Sequence, residues 1–171
     1  WFQGRMEFGP RALGNRSILA DPRHKENWDR INLKIKQREN FRPLAPSVLE
    51  DKAEDYFDTS CPSPFMLFTA TNKTDQIPAV THVDRTSRIQ TVSRQNNPLF
   101  YALISEFDKL TGVPVLINTS LNTAGMPIAC TPQNAFQCFS EAKLDVLVMG
   151  NFIIKRITTV PTFTDEFSVS A

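Results

Sequence analysis

The sequence predicts an α/β fold, a twisted and mostly open mixed sheet with flanking helices. Three observations carry that expectation. Short apolar runs of strand length alternate with amphipathic stretches at helical spacing. The 171 residues suit one domain that can bury a sizeable core. Hydrophobic residues make up 41% and charged residues 22%, the balance of a globular chain.

Trp1-Phe2-Gln3 reads as the end of a strand whose beginning lies before the chain. Residues 4–16 form a loop carrying Gly4, Gly9, Pro10 and Gly14. Ser17 to Ala20 is a short apolar strand. His24 to Ile35 is charged, with Trp28, Ile31 and Ile35 spaced for one helical face. Arg42 to Leu49 is extended, and its two prolines argue against a regular central strand. Glu50 to Phe57 reads as a short helix, Phe65 to Ala70 as a strand and Asn72 to Ala79 as a polar loop. Arg88 to Val92 alternates as a half-buried strand does, with Arg88 and Gln90 on one face.

Pro98 to Leu110 is the clearest helix. Leu99, Phe100, Leu103, Ile104, Phe107 and Leu110 make one stripe, and Gly112 closes it. Val113 to Asn118 is a buried strand, and the order strand-helix-strand over 88–118 allows a crossover. Thr131 and Pro132 start another helix as N-cap and first residue, with Ala135, Phe136 and Phe139 inward. Leu144 to Met149 and Phe152 to Ile154 are the last strands. The domain is expected over residues 1–156, with its N-terminal edge truncated, and a loose Thr-rich tail over 157–171.

Several classes fall away on composition. No run approaches the length of a membrane-spanning helix. No charged start leads into an apolar stretch, so no signal peptide is visible. Cys61, Cys130 and Cys138 read as buried small residues, too scattered for a disulfide framework. With two histidines they make no transition-metal set, and a cytoplasmic setting with reduced thiols is expected. Net charge is +1, but residues 1–42 carry a net +5, mostly arginine, and residues 43–171 a net −4. Arginine offers a planar fork suited to carboxylate and phosphate.

Four segments could carry chemistry. Gly4 to Ser17 packs three arginines and three glycines into fourteen residues after a strand. Glycines let backbone N–H groups turn toward an anion, and arginines add charge-assisted bonds to phosphate. The segment is not a P-loop, because no Lys follows Gly14. Taken by itself, an ordinary turn with solvated arginines weighs about equally. Lys36 and Arg38 fall on one side of an extended segment and suit a nucleotide triphosphate, or else a solvated helix end. Ile117 to Gly125 follows a buried strand, where α/β loops commonly bind ligands, and Ser120 and Asn122 offer short polar groups there, or else form a polar turn ending at Gly125. His82 and Asp84 make a His-x-Asp pair without a third metal ligand.

The four segments in this order closely resemble the C-terminal domain of the NodU/CmcH/TobZ carbamoyltransferases. The resemblance covers Trp1 to about Arg156 and rests on the block Gly4 to Ser17, on Lys36-Gln37-Arg38-Glu39 with Arg42, Pro43, Ala45 and Pro46, on His82 to Gln90 and on Asn118 to Ile128. That domain is similar to the YrdC-like domains of threonylcarbamoyl-AMP synthases. Their Lys-x-Arg and Ser-x-Asn pairs match Lys36/Arg38 and Ser120/Asn122. The resemblance implies a YrdC-like sheet with an open cationic cavity. It also implies a reaction, carbamoyl phosphate and ATP giving carbamoyl-adenylate with Mg²⁺. A separate N-terminal domain, which also holds iron, then carbamoylates a hydroxyl of a natural product. On this reading Lys36, Arg38, Ser120 and Asn122 hold ATP. Arg5, Gly9, Arg11, Gly14, Arg16 and Ser17 hold carbamoyl phosphate, and Arg88 bridges the two. Arg11, Arg16, Lys36, Arg38 and Arg88 carry the catalysis. The expected partners are these two substrates and the N-terminal domain, with no membrane and no transition metal here. The alternative is a YrdC-like RNA- or nucleotide-binding module without turnover. The local basic excess and the lack of repeated exposed aromatics argue against RNA.

Overall fold

The computed structural model describes residues 1–156, so the tail expected at 157–171 lies outside the described residues. In chain order the elements are β1 (Ser17–Ala20), α1 (Glu26–Asp29) and β2 (Ala45–Leu49). Then come α2 (Ala53–Tyr56), β3 (Phe57–Asp58), β4 (Thr69–Asn72), β5 (Thr86–Arg88) and β6 (Gln90–Val92). The last are α3 (Pro98–Thr111), β7 (Val115–Ser120), α4 (Pro132–Glu141), β8 (Val146–Met149) and β9 (Phe152–Lys155). The architecture is the expected mixed α/β with open sheets, and no barrel closes among the described residues. No helix among them is long and apolar enough to cross a membrane.

The main sheet has the order β1-β7-β2-β6. β7 runs antiparallel to both neighbours, while β2 and β6 are parallel. β6, α3 and β7 are therefore not a parallel crossover. The chain leaves β6, passes along α3 and returns on the far side of β2. A smaller sheet, β3-β4-β5, and the hairpin β8-β9 complete the strands. Most of the core lies on one face of the main sheet, around Val48, Ile117, Ile31, Ile77 and Leu147. A second cluster, Leu49, Val92, Phe100, Ile104 and Leu116, fills the face under α3.

Local signals account for the helix ends. Asn97 caps α3 by accepting from Phe100 N–H at 3.2 Å, and Gly112 closes it at φ 74°. α4 opens with a capping box between Thr131 and Asn134. Within the predicted stripes the burial is narrower. Phe100 and Ile104 are buried while Leu99 and Leu110 are exposed, and on α4 Cys138 takes the inward place expected of Phe136. Cys61 and Cys130 are exposed, so only Cys138 behaves as a buried small residue.

Three strand expectations change. β2 is an inner strand despite Pro46, and Pro43 lies before it. Its ladder to β6 starts at Ser47, so Pro46 sits at the strand's beginning, beyond that ladder. The strand expected from Phe65 begins only at Thr69. Met66 turns at φ 55° and is buried, leaving Phe65, Leu67 and Phe68 exposed. The expected strand over 88–92 is split by Ile89, with Arg88 ending β5 and Gln90 opening β6 in another sheet.

Candidate functional site

The helix that starts at α1 widens into a π-turn over Arg30–Ile35, and Lys36 N–H reaches back to Ile31 O at 2.8 Å. Ile31, Asn32, Ile35 and Lys36 all turn inward as a result. Gln37 adopts a left-handed φ of 47°, and Arg38 N–H closes the helix on Asn32 O at 3.0 Å. The fully buried Asn32 then arranges the loop that follows. Its Nδ2 donates to Arg42 O at 2.9 Å, and its Oδ1 accepts from Arg38 Nε at 2.8 Å. Sequence reasoning missed Asn32. The available signal was a polar residue on the apolar side of the Ile31/Ile35 helix.

Lys36 reaches across to the end of β7. Its Nζ donates to Asn122 Oδ1 at 2.6 Å, to Asn122 O at 3.0 Å and to Ser120 Oγ at 3.2 Å, as well as to Ser120 O. Ser120 Oγ donates in turn to Asn122 Oδ1 at 2.7 Å. Both expected pairs, Lys36/Arg38 and Ser120/Asn122, therefore line one open cleft of about 630 Å³, with Arg42, Thr123 and Gly125. Burial pulls the Lys36 ammonium down to a pKa of about 7, with Cys138 opposing and Arg38 adding to the shift. The carboxylate at this cleft, Glu39, accepts from Arg42 Nε at 2.8 Å.

More positive charge gathers beside the cleft. Burial lowers the Arg88 guanidinium pKa, and the charges of Arg11 and Arg38 lower it further. Burial and Arg42 do the same to Arg38, against Glu39. Among the described residues Arg88 Nε is buried without an acceptor, and so is Arg16 Nε on the neighbouring loop. Unmatched donors in partial burial are costly, and an anion is the group that satisfies them.

The Gly4 to Ser17 block divides in two. Its inner limb is folded on itself. Arg16 is buried over the Phe2 ring at 3.6 Å and donates to the carbonyls of Gln3, Asn15 and Gly4 at 2.7, 2.9 and 3.0 Å. Glu7 Oε1 accepts from Leu13 N–H and Asn15 N–H at 2.9 and 2.7 Å. Gly14 N–H donates to the buried Ser17 Oγ at 3.1 Å. Gly14, Arg16 and Ser17 therefore brace the loop, and neither they nor Arg5, Gly9, Arg11 and Arg88 are among the residues that line the cleft. Arg5, Gly9 and Arg11 stand exposed on the outer limb. A buried polar set fixes the block to the sheet: Asn118 Nδ2 donates to Ser47 Oγ and Gln90 Oε1, and Gln90 Nε2 donates to Leu13 O at 2.8 Å.

His82 and Asp84 do not face a common ligand. Thr86 Oγ1 donates to Asp84 Oδ1 at 2.7 Å, and His82 Nδ1 lies 3.1 Å from the same hydroxyl. Burial, with Arg88 nearby, lowers the His82 pKa against the pull of Asp84. No group of three metal-ligating side chains gathers among the described residues.

The family description that matches residues 1–156 is Carbamoyltransferase C-terminus. The chain belongs to that family. Its relatives include nodulation protein NolNO of Sinorhizobium fredii, 50% identical over 176 residues, covering 99% of this chain and 26% of that protein. Nodulation protein NolO of Bradyrhizobium diazoefficiens is 49% identical over 162 residues, covering 91% of this chain and 30% of that protein. Nodulation protein U of Sinorhizobium fredii is 48% identical over 128 residues, covering 73% of this chain and 23% of that protein. The chain thus spans less than a third of the length of these relatives.

Proposed function

We propose that this carbamoyltransferase C-terminal domain binds ATP and carbamoyl phosphate and joins them as carbamoyl-adenylate. An N-terminal domain of the longer enzyme would then pass the carbamoyl group to a hydroxyl of a small natural product. One observation carries the reading. Lys36 and Arg38 meet Ser120 and Asn122 in one open cleft, Ser120 lying 84 residues away from Lys36, and the charges of Arg11 and Arg38 both act on the half-buried Arg88. Two polyanions can meet only where fixed positive charge offsets their repulsion, and this arrangement supplies it before either arrives.

In this reading Lys36, Arg38, Ser120 and Asn122 hold the nucleotide phosphates. Arg11, with Arg5 and the Gly9 backbone, holds carbamoyl phosphate, and Arg88 bridges the two anions. Water splits carbamoyl phosphate into carbamate and phosphate. A carbamate oxygen then attacks the α-phosphorus of ATP. The new O–P bond forms as the α–β bridge breaks, and pyrophosphate leaves with the electron pair. Glu39 is held by Arg42 and the cleft offers no cluster of carboxylates, so Mg²⁺ would enter on the nucleotide and offset charge there. Gly14, Arg16 and Ser17 act by keeping the outer limb in shape.

The test is pyrophosphate release from ATP and Mg²⁺, with and without carbamoyl phosphate. Release that depends on carbamoyl phosphate is expected, and it should fall in Arg11→Ala more than ATP affinity does. ATP binding with no release would leave a nucleotide-binding module. Failure to bind either substrate would overturn the reading.

A further inference from the structure

The turn before β5 carries a hydrogen-bond chain that ends on an unpaired atom. His82 N–H donates to Thr86 O at 2.9 Å and Arg85 N–H to His82 O at 3.0 Å, with Arg85 at a left-handed φ of 63°. Inside the turn Asp84 Oδ1 accepts from Thr86 Oγ1 at 2.7 Å and from Thr86 N–H at 3.0 Å. The two bonds from Thr86 hold the Asp84 carboxyl below its ordinary range, so it is ionised at neutral pH.

This arrangement fixes the imidazole tautomer. The Thr86 hydroxyl has one hydrogen, and the shorter, charge-assisted bond to Asp84 takes it. Toward His82 Nδ1, 3.1 Å away, the same oxygen can then only accept. Nδ1 therefore carries a proton. Burial lowers the His82 pKa from 6.5 against the pull of Asp84, and Arg88 lowers it further, so the neutral ring has that one proton alone. Nε2 is left as a bare acceptor, buried and without a donor among the described residues. The cleft of about 610 Å³ that His82 lines with Trp28, Phe41 and Val83 does not open onto it.

Arg88 offers the matching group. Thr86 and Arg88 stand two apart in β5, so their side chains leave the same face, and the imidazole bonded to Thr86 stands on that face too. Arg88 Nε–H is itself buried without an acceptor among the described residues. An acceptor and a donor, each costly to leave unmet, thus share one strand face, and neither reaches solvent.

We propose that His82 is a positioning residue for Arg88. When an anion binds, His82 Nε2 accepts from Arg88 Nε–H, and the two terminal nitrogens of the guanidinium are aimed at the anion. The proposal rests on the proposed function, in which Arg88 bridges the two substrates. In the free protein the charges of Arg11 and Arg38 act against Arg88. A bound anion offsets that repulsion and lets the guanidinium settle. Taken end-on, the anion leaves Nε unmet, and His82 supplies what Nε then lacks. Held at Nε as well, the planar group keeps one orientation, which is what contact with two substrates asks of it. Asp84 and Thr86 act through the tautomer. The reverse tautomer would set an N–H against Arg88 Nε–H.

The chain has two histidines, so ¹⁵N-histidine labelling resolves every ring nitrogen, and His24→Gln assigns them. In the free protein at neutral pH His82 should show a protonated Nδ1 and a bare Nε2. Saturating ATP with Mg²⁺ should move the Nε2 signal upfield, the direction of an accepted hydrogen bond, and leave His24 in place. Arg88→Ala at saturating ATP should abolish that move. By calorimetry His82→Leu should weaken ATP binding about tenfold in the parent, the size of one hydrogen bond to a charged group, and leave it unchanged in Arg88→Ala. His82→Gln, which brings an amide oxygen near the place of Nε2, should keep most of the affinity. A proton on Nε2 in the free protein overturns the proposal. So does a Nε2 signal that bound ATP leaves unmoved, a move that survives Arg88→Ala, or an equal loss from His82→Leu in both backgrounds. In each of those results ATP still binds, and the proposed function stands. A parent that does not bind ATP overturns both.

Discussion

Replacing Gly14 by alanine separates a bracing residue from a ligand-binding one. Gly14 lies at φ 112°, where a side chain is strained. A Cβ there would stand 2.2, 2.6 and 2.8 Å from Cδ1, Cγ and Cε1 of Phe100. The ring cannot retreat, because Phe100 is fully buried against Leu49, Val92, Ile104 and Leu116. Nor can the backbone move freely, since Gly14 O accepts from Trp1 Nε1 at 2.8 Å while its N–H is bound to Ser17. Backbone strain costs about 1–3 kcal/mol. Overpacking costs about 1–3 kcal/mol more. The sum, about 2–6 kcal/mol, should lower the melting temperature by roughly 5–20 °C for a chain of this length. Phe100→Leu opens the space the new methyl needs, so the double variant should lose less than the two single losses together, by about 0.5–3 kcal/mol. Thermal unfolding of the four proteins measures both quantities. A Gly14→Ala protein that melts with its parent but binds carbamoyl phosphate poorly would refute the packing argument and return Gly14 to the ligand.

Arg38→Ala should weaken ATP binding by about 1.5–3 kcal/mol, the size of a hydrogen bond to a charged group, and calorimetric titration checks it. Unchanged affinity would remove Arg38 from the phosphates. Lys36 predicts the pH dependence. Its folded pKa of about 7 lies below the ordinary 10.5. Between those values the unfolded chain holds a proton that the folded chain has released, so stability contributed at this site rises with pH through the window. Binding runs the other way, because a phosphate favours the ammonium. ATP binding near pH 8 should take up a proton, and affinity should fall by up to about tenfold per pH unit above 7. Titrations in buffers of different ionisation enthalpy measure the uptake, and Lys36→Met should abolish it. An affinity flat from pH 6 to 9 would remove Lys36 from the phosphate site.

Much of this protein was determined by the sequence alone wherever the cause is local. Thr131-Pro132, Pro98 and Gly112 mark helix ends because caps and turns act within a few residues. The apolar runs of β1 and β7 read as strands, and the motif blocks carried the family. Other features were decided only when distant segments met. Pro46 sits in an inner strand because the ladder to β6 begins one residue later, a fact of register. Ile89 splits an alternating run between two sheets because the flanking residues find different partners. Glycine and arginine in the Gly4 to Ser17 block look alike along the chain. Packing against Phe100 and Phe2 turns Gly14 and Arg16 inward and leaves Arg5, Gly9 and Arg11 outside. Asn32 shapes the cationic cleft from beneath; its place beside Ile31 and Ile35 marks it as an inward polar residue, but its partners Arg38 Nε and Arg42 O are fixed only by the folded loop. Hydrogen bonds between residues far apart in sequence exist only after the sheet has set their register, so neither periodicity nor capping can report them.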